Sequence, residues 1–228
     1  ASTPDSEIPT DQFISPTLAL VADHYHVKYI VTGVNSETES IMPRAWSHGH
    51  TDWKYVKDIH KKYGTLPLKT YPYFTRMTRY YFNKRIEWFD ILNYIDYNKQ
   101  AAKQELMERY GWRDYGGKHY ESFYTRFYQT YILPQKFGFD KRKMHLSSMI
   151  VSGQISRKKA LEELGEPLYD VTGIERDITY FCEKMEISRE EFEQIMKLPP
   201  RTFDDYISYE NDAWGKARRK IGKALRHA

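Results

Sequence analysis

The chain has one cysteine, Cys182, in 228 residues. A lone thiol excludes an intramolecular disulfide framework and a cysteine-based zinc site within the chain. No apolar run approaches the length of a membrane span, and no signal-peptide pattern opens the sequence. There is no internal repeat and no low-complexity linker. Excess charge is also scarce: 35 Lys+Arg against 31 Asp+Glu leave +4, too little to argue for a nucleic-acid partner. A soluble protein of a reducing compartment, the cytoplasm, is expected.

What is present is apolar and aromatic. Hydrophobic residues make up 40% and aromatics 16%, with 20 tyrosines. That is enough to bury a core, and tyrosine makes its edges polar. The length allows one large domain or two small ones. The charge is uneven. The tail after Asp212 carries Lys216, Arg218, Arg219, Lys220, Lys223 and Arg226 and no acid, so the body before it is slightly acidic. Ala213, Ala217, Ile221, Ala224 and Leu225 fall at helical spacing. The tail therefore reads as a basic amphipathic helix: a solvated terminal helix, or a contact for an acidic partner, a nucleic acid or an anionic membrane surface.

Residues 1–10 are polar and carry no element. A helix capped by Thr10 or Asp11 should run to about Tyr25, with Phe13, Thr17, Leu20, Val21 and His24 on one face. Val27–Thr32 reads as a buried strand ending at Gly33. In parallel sheets ligands lie at the carboxyl end of such strands. A helix is expected over 51–63, closed by Gly64, then an extended segment over 66–73. The stretch 80–97 is densely aromatic, with 91–97 a strand or the entry to a helix from Asn98 to Tyr110, which Gly111 ends. Further helices are expected over 121–137, 140–151, 156–164, 172–185 and 188–197. Ser156 is a good N-cap and Ser188 with Glu191 a capping box.

Four segments can carry chemistry. In the loop after the strand, Gly33 permits a tight turn or close backbone approach, Asn35 can orient a ligand, and Glu39 can hold a metal or a proton. The same pattern also suits a polar loop with an Asx turn. Trp112–Ser122 sets Gly116 and Gly117 beside Arg113, Lys118, His119 and Glu121, just before a helix. Such a turn leaves amides open to an anion, Arg113 and Lys118 can grip phosphate or carboxylate, and His119 and Glu121 can relay protons. The alternative is a plain helix connection. Phe139–Ser148 puts Lys141, His145 and Ser148 on one helix face, a stripe suited to pyrophosphate or sugar phosphate unless it is an exposed basic face. His48, His50 and Asp52 make a weak metal pattern, and Cys182 reads as a buried inert thiol. The cluster Tyr71, Tyr73, Phe74, Tyr80, Tyr81 and Phe82, interleaved with Arg76, Arg79 and Lys84, can stack bases but more often forms core with snorkelling cations.

Three stretches carry a family resemblance: STPDSEIPTDQF near the start, GVNSETESIMP at Gly33–Pro43, and the long run Trp112–Leu164. From Ser2 to about Pro200, excluding the basic tail, the chain resembles the WbpG-type N-acetyl sugar amidotransferases of bacterial lipopolysaccharide O-antigen and surface-polysaccharide biosynthesis. These belong to the PP-loop ATP pyrophosphatases. The resemblance implies an α/β fold: the C-terminal part of a Rossmann-like nucleotide domain over 1–97 and a mostly α-helical substrate and partner region over 98–200, with the basic tail helix read above over 201–228 following it. It implies a reaction in which ATP, with Mg2+, adenylates the oxygen of an N-acetyl group on a UDP-linked sugar. Pyrophosphate leaves, ammonia from a HisH-like glutaminase subunit displaces AMP, and an acetamidino group results.

The family's Ser-Gly-Gly-x-Asp-Ser phosphate loop and cysteine-rich zinc stretch do not occur in the sequence. The chain is therefore expected to be the C-terminal portion of a longer protein, with any zinc confined to the missing part. Carried over by position, Glu39, Lys118, His119 and Glu121 are the catalytic candidates. Gly33, Asn35, Ser40, Lys141, Arg142 and His145 are the nucleotide-binding ones. Arg113, Gly116, Gly117 and Arg126 are expected at the sugar substrate. No metal ligand is assigned in this chain. Two other functions compete: a tRNA-modifying PP-loop relative, disfavoured by the acidic body, and a non-catalytic fragment that docks a partner.

Overall fold

The computed structural model describes residues 1–48, 51–118 and 120–226. Its elements in chain order begin with α1 (Ile8–His24), β1 (Tyr29–Thr32), α2 (Ser36–Glu39), α3 (Trp53–Tyr63), α4 (Arg76–Arg85) and β2 (Glu87–Asp90). After a 3-10 turn at Ile91–Tyr94 come α5 (Lys99–Tyr110), α6 (Phe123–Phe127), a π-helical stretch at Tyr128–Phe137, α7 (Arg142–Val151), α8 (Arg157–Gly165), α9 (Ile174–Met185) and α10 (Arg189–Lys197). A 3-10 turn at Phe203–Asp205 precedes α11 (Ala213–Arg226). The protein is mostly helical, with one small parallel two-stranded sheet. None of the described helices is long and apolar enough to cross a membrane.

The chain forms two compact units that interleave along the sequence. The first comprises Ala1–Thr32, Arg44–Phe89 and Arg201–Ala228; the second comprises Gly33–Pro43 and Asp90–Pro200. Residues 33–43 thus go with the helical region, and residues 201–228 with the N-terminal part.

In the first unit, α1 starts at Ile8, before the expected Thr10 or Asp11 cap, because Pro9 suits an opening turn that needs no amide there. Its buried face is Ile8, Gln12, Pro16, Ala19 and Ala22. The expected apolar face is the outer one: Phe13, Leu20 and Val21 are 43–50% exposed. The small Ala19 and Ala22 sit in one cluster with Phe74, Phe82 and Ile86, so shape decides the face rather than hydrophobicity. β1 is not the buried strand that its composition suggests. Ile30 packs on that cluster, while Tyr29 and Val31 are each 61% exposed. The strand β1 is covered on one face, and its residues alternate accordingly. The second strand was not foreseen, and 91–97 holds a 3-10 turn instead of a strand.

The cap of α3 is Asp52, whose carboxylate accepts from the Tyr55 amide at 3.1 Å, the Tyr209 amide at 2.7 Å and His48 Nε2 at 3.0 Å. Beside it lies a core of Ile8, Tyr55, Val56, Phe203 and Tyr206. The helix α4 starts with a capping box in which Thr75 and Thr78 bond each other's amides. Phe74 and Phe82 enter the core, and Lys84 and Arg85 lie over the exposed Tyr80 and Tyr81 rings. The cluster thus divides into core and snorkelling cations.

In the second unit, α6 and the π-helical stretch pack on α9 and α10 through Phe127, Tyr128, Ile132, Leu133, Ile178, Phe181, Cys182 and Phe192. Pro134 supplies no amide inside the π-helical stretch. Cys182 is buried, which pushes its thiol pKa up and leaves it unreactive. Gly111, at φ +64°, closes α5, and Ser188 with Glu191 forms a capping box on α10. Those caps and the helix spans follow the sequence closely.

Candidate functional site

The site is assembled where α2 lies against α7. Asn35 caps α2 by accepting from the Thr38 amide at 2.9 Å. From α7, the fully buried Ser148 hydroxyl accepts from the Ile41 amide at 3.1 Å, and Ser152 donates to the Glu37 carbonyl at 2.9 Å. His145 Nδ1 lies 3.2 Å from the Thr38 carbonyl. One polar helix face therefore fixes the 33–43 loop residue by residue. Asn93 adds a bond to the Ser36 amide at 2.8 Å.

Lys118 joins this arrangement by pairing with Glu39, and its Nζ lies 3.4 Å from His145 Nδ1. That nitrogen faces a carbonyl, which needs a donor, and an ammonium, which needs an acceptor. It can satisfy one of them at a time, so the imidazole proton is coupled to the position of the Lys118 ammonium.

Lys118, His145 and Lys141 line a cavity of about 400 Å³. Lys99 and Lys103, spaced four apart on α5, line it too. Burial depresses the pKa of Lys99, and the charges of Lys103 and Lys118 lower it further. Lys103 pairs with Asp114 at 2.6 Å. Among the described residues no carboxylate pairs with Lys99 or Lys141. The cavity gathers more cations than carboxylates, its lining also including Asp140, Glu163 and Glu166, and it suits an anion of phosphate or diphosphate size. Neither Lys99 nor Lys103 was a candidate from the sequence. Their four-residue spacing at the start of a helix was the available signal.

The remaining candidates divide. Gly116, at φ +90°, makes the foreseen turn and lines the cavity, but its amide bonds Asp114 Oδ1 at 2.9 Å and is not open to an anion. A Cβ on Gly117 would lie 2.7 Å from the Tyr120 ring, so this glycine serves a close packing contact. Gly33 has open space around it and no left-handed backbone, so neither a tight turn nor a close approach requires it. Asn35 is a buried cap and Ser40 an exposed helix end. Arg142 lines the cavity but binds Asp140 at 2.9 Å and the carbonyls of Glu163, Leu164 and Glu166, closing the end of α8. Arg126 pairs with Asp177 at 3.0 Å and lies over Phe123. Arg113 is exposed; so is Glu121, which bonds the Tyr115 phenol. His119 lies outside the described residues.

In the first unit, His48 is held by Asp52 and stacks on Phe203 at 5.2 Å. Gly49 and His50 lie outside the described residues. No group of three His, Cys, Asp or Glu suited to a metal occurs among the described residues.

Residues 121–220 match the family model for the LPS biosynthesis protein WbpG-like, C-terminal domain. Over these residues the chain is similar to the C-terminal domain of WbpG-like proteins. Within the WbpG-like match lie α6 to α10, the start of α11, and the candidates Glu121, Arg126, Lys141, Arg142 and His145. Glu39 and Lys118 precede it. The match also corrects the reading of the tail: it continues to residue 220, so the first turns of the basic helix are part of the family domain and not an addition outside it. No curated protein and no solved structure matches the chain.

Proposed function

We propose that this chain is part of the synthetase subunit of an ATP-dependent N-acetyl sugar amidotransferase in lipopolysaccharide biosynthesis. One observation carries the reading. Lys118, Lys141 and His145 line one cavity and Glu39 pairs with Lys118 at its edge, so three separate sequence motifs meet there. The family match supports the pathway. The open sheet of the first unit, with Tyr29 and Val31 exposed, suits a portion of a larger Rossmann-like PP-loop domain.

The residues suit a phosphate-bearing substrate. Lys99 and Lys141 have no carboxylate to release before binding an anion. Lys118 is held by Glu39, and a phosphate oxygen can take the place of that carboxylate. Magnesium carried on phosphates needs only one or two protein carboxylates, and Glu39 is the carboxylate that would then be freed. ATP supplies the leaving group that makes an amide carbon electrophilic. The chain's own part is electrostatic: the lysines hold and neutralise a departing pyrophosphate. Transfer of the Lys118 ammonium from Glu39 to a phosphate also frees His145 Nδ1 to keep its proton on the Thr38 carbonyl. A UDP-linked N-acetyl sugar is the proposed substrate, a glutaminase subunit the proposed ammonia source, and the cytoplasm the proposed location.

Lys118→Ala in the complete enzyme should lower amidination about 100-fold or more while circular dichroism stays unchanged. The assay follows ATP- and ammonia-dependent gain of an amidino group on a UDP-N-acetyl sugar. A near-normal rate would sink the assignment. Tight RNA binding with a steep salt slope would favour a tRNA-modifying relative instead.

A further inference from the structure

The first unit contains a second cavity, of about 480 Å³, between α4 and the start of α11. Its cations are Arg76 and Arg79 from α4 and Arg218 from α11. They are differently engaged. Arg76 is already engaged: it binds Asp212 at 3.1 Å and the Tyr209 carbonyl at 2.7 Å, and its guanidinium lies 4.6 Å from the Trp214 ring centre. Arg218 lies over the same ring at 5.7 Å, and no carboxylate pairs with it among the described residues. Arg79 donates to the Thr51 carbonyl at 2.7 Å and lies 5.9 Å from the Phe74 ring. No carboxylate pairs with it either, although burial works against its charge. The nearby Asp52 is fully occupied by His48 and two amides, and Glu210 pairs with Arg44. A desolvated guanidinium that faces a cavity with part of its fork unused invites a planar pair of anionic oxygens.

We propose that this cavity is a phosphoryl-anion site, distinct from the cavity in the second unit, and that the basic C-terminal helix forms its wall. Arg79 makes the bidentate contact from α4, and Arg218 reaches the same anion from α11. The aromatic ring of Trp214 keeps Arg218 aligned through its cation–π contact. The helix start is already fixed. Asp212 accepts from the Gly215 amide at 2.7 Å and from Lys54 at 2.6 Å, and Gly215 lies so close to the Tyr209 and Glu210 carbonyls that a Cβ would sit 2.4 Å from each. Beyond that turn, Ala217 and Ile221 are exposed, so neither of them holds the helix down by apolar contact. An anion shared by Arg79 and Arg218 would supply that restraint. The basic tail then acts as a phosphate-dependent clasp on its own unit.

The test is titration of inorganic pyrophosphate into the Lys99→Ala/Lys118→Ala chain, which weakens the other cavity. Binding is read by calorimetry and by tryptophan emission. Saturable binding that shifts the emission is expected, with the shift abolished in Trp214→Phe. Arg218→Ala, on an exposed helix, should weaken binding at least fivefold, and Arg79→Ala at least tenfold. Arg79→Lys keeps charge and fold but loses the fork, and should fall between wild type and Arg79→Ala. No pyrophosphate binding in the double-lysine background would overturn the proposal, as would binding that Arg79→Lys and Arg218→Ala leave unchanged. Neither outcome touches the amidation assay, so this proposal and the proposed function fail separately.

Discussion

The two units place their carboxylates and lysines differently. In the first, carboxylates go inside and are fully engaged. Asp52 holds two amides and a histidine, and Asp212 holds Lys54, Arg76 and the Gly215 amide. In the second, lysines gather around a cavity, and two of them, Lys99 and Lys141, pair with no carboxylate among the described residues. A buried charge with all its partners is architecture. One that faces space without them is available for a ligand. The cores differ in parallel. The second unit packs an apolar, aromatic cluster around Phe127, while the first relies on smaller clusters joined by polar ties.

The strongest test of that contrast is truncation of the aromatic core. Phe127 is 1% exposed and rests near Phe123, Tyr131, Phe181 and Phe192. Phe127→Ala should destabilise the second unit by about 3–5 kcal/mol, measured by urea melts. A loss below about 1 kcal/mol would show that the cluster is not the main support. Next is Asp52→Ala, which removes a helix cap and strands a buried histidine and an amide. A loss of about 2–3 kcal/mol is expected; a wild-type melt would refute the carboxylate tie as architecture. The smallest effect concerns Asp212. Burial opposes its ionisation, but hydrogen bonds from Lys54 and Arg76 outweigh that and hold its pKa well below the ordinary 3.8. A folded pKa below the unfolded one means the stabilisation is present above about pH 4 and fades as pH falls through the folded value. The Gly215 amide shift should therefore hold its capped value at pH 4 and change only at stronger acidity. Asp212→Asn should remove that titration.

Much of the helical region was legible because its ends are marked locally. Asn98, Ser156, Ser188 and Gly111 act within one turn, and the structure has each as a cap. The start of α4 was missed because its box uses Thr75 and Thr78, where the common pattern has an acid or amide at the third position. The α1 face was misjudged because Ala19 and Ala22 carry little hydrophobic weight yet fit closest. At the cavity, Lys118, Lys141 and His145 were visible as charges near glycines or on a helix stripe. Lys99 was not, since its importance comes from burial that only the packing of α5 creates. Arg142 and Gly116 were read as open to ligand, and long-range carbonyls and Asp114 had already taken their donors.

The interleaving of the units has a consequence for the order in which the protein can be completed. As a ribosome delivers the chain, residues 90–200 emerge as one continuous stretch and can close the aromatic core without waiting. The first unit has its opening segments earlier but needs residues 201–212 to finish. Until Tyr209 emerges, Asp52 lacks one of its amides, and until Asp212 does, Lys54 and Arg76 have no carboxylate. The part made first is therefore the part finished last. Its unfinished surface, the Ile8, Tyr55 and Val56 side of the core that Phe203 and Tyr206 complete, stays open to chaperones or misassociation for as long as the second unit takes to be synthesised.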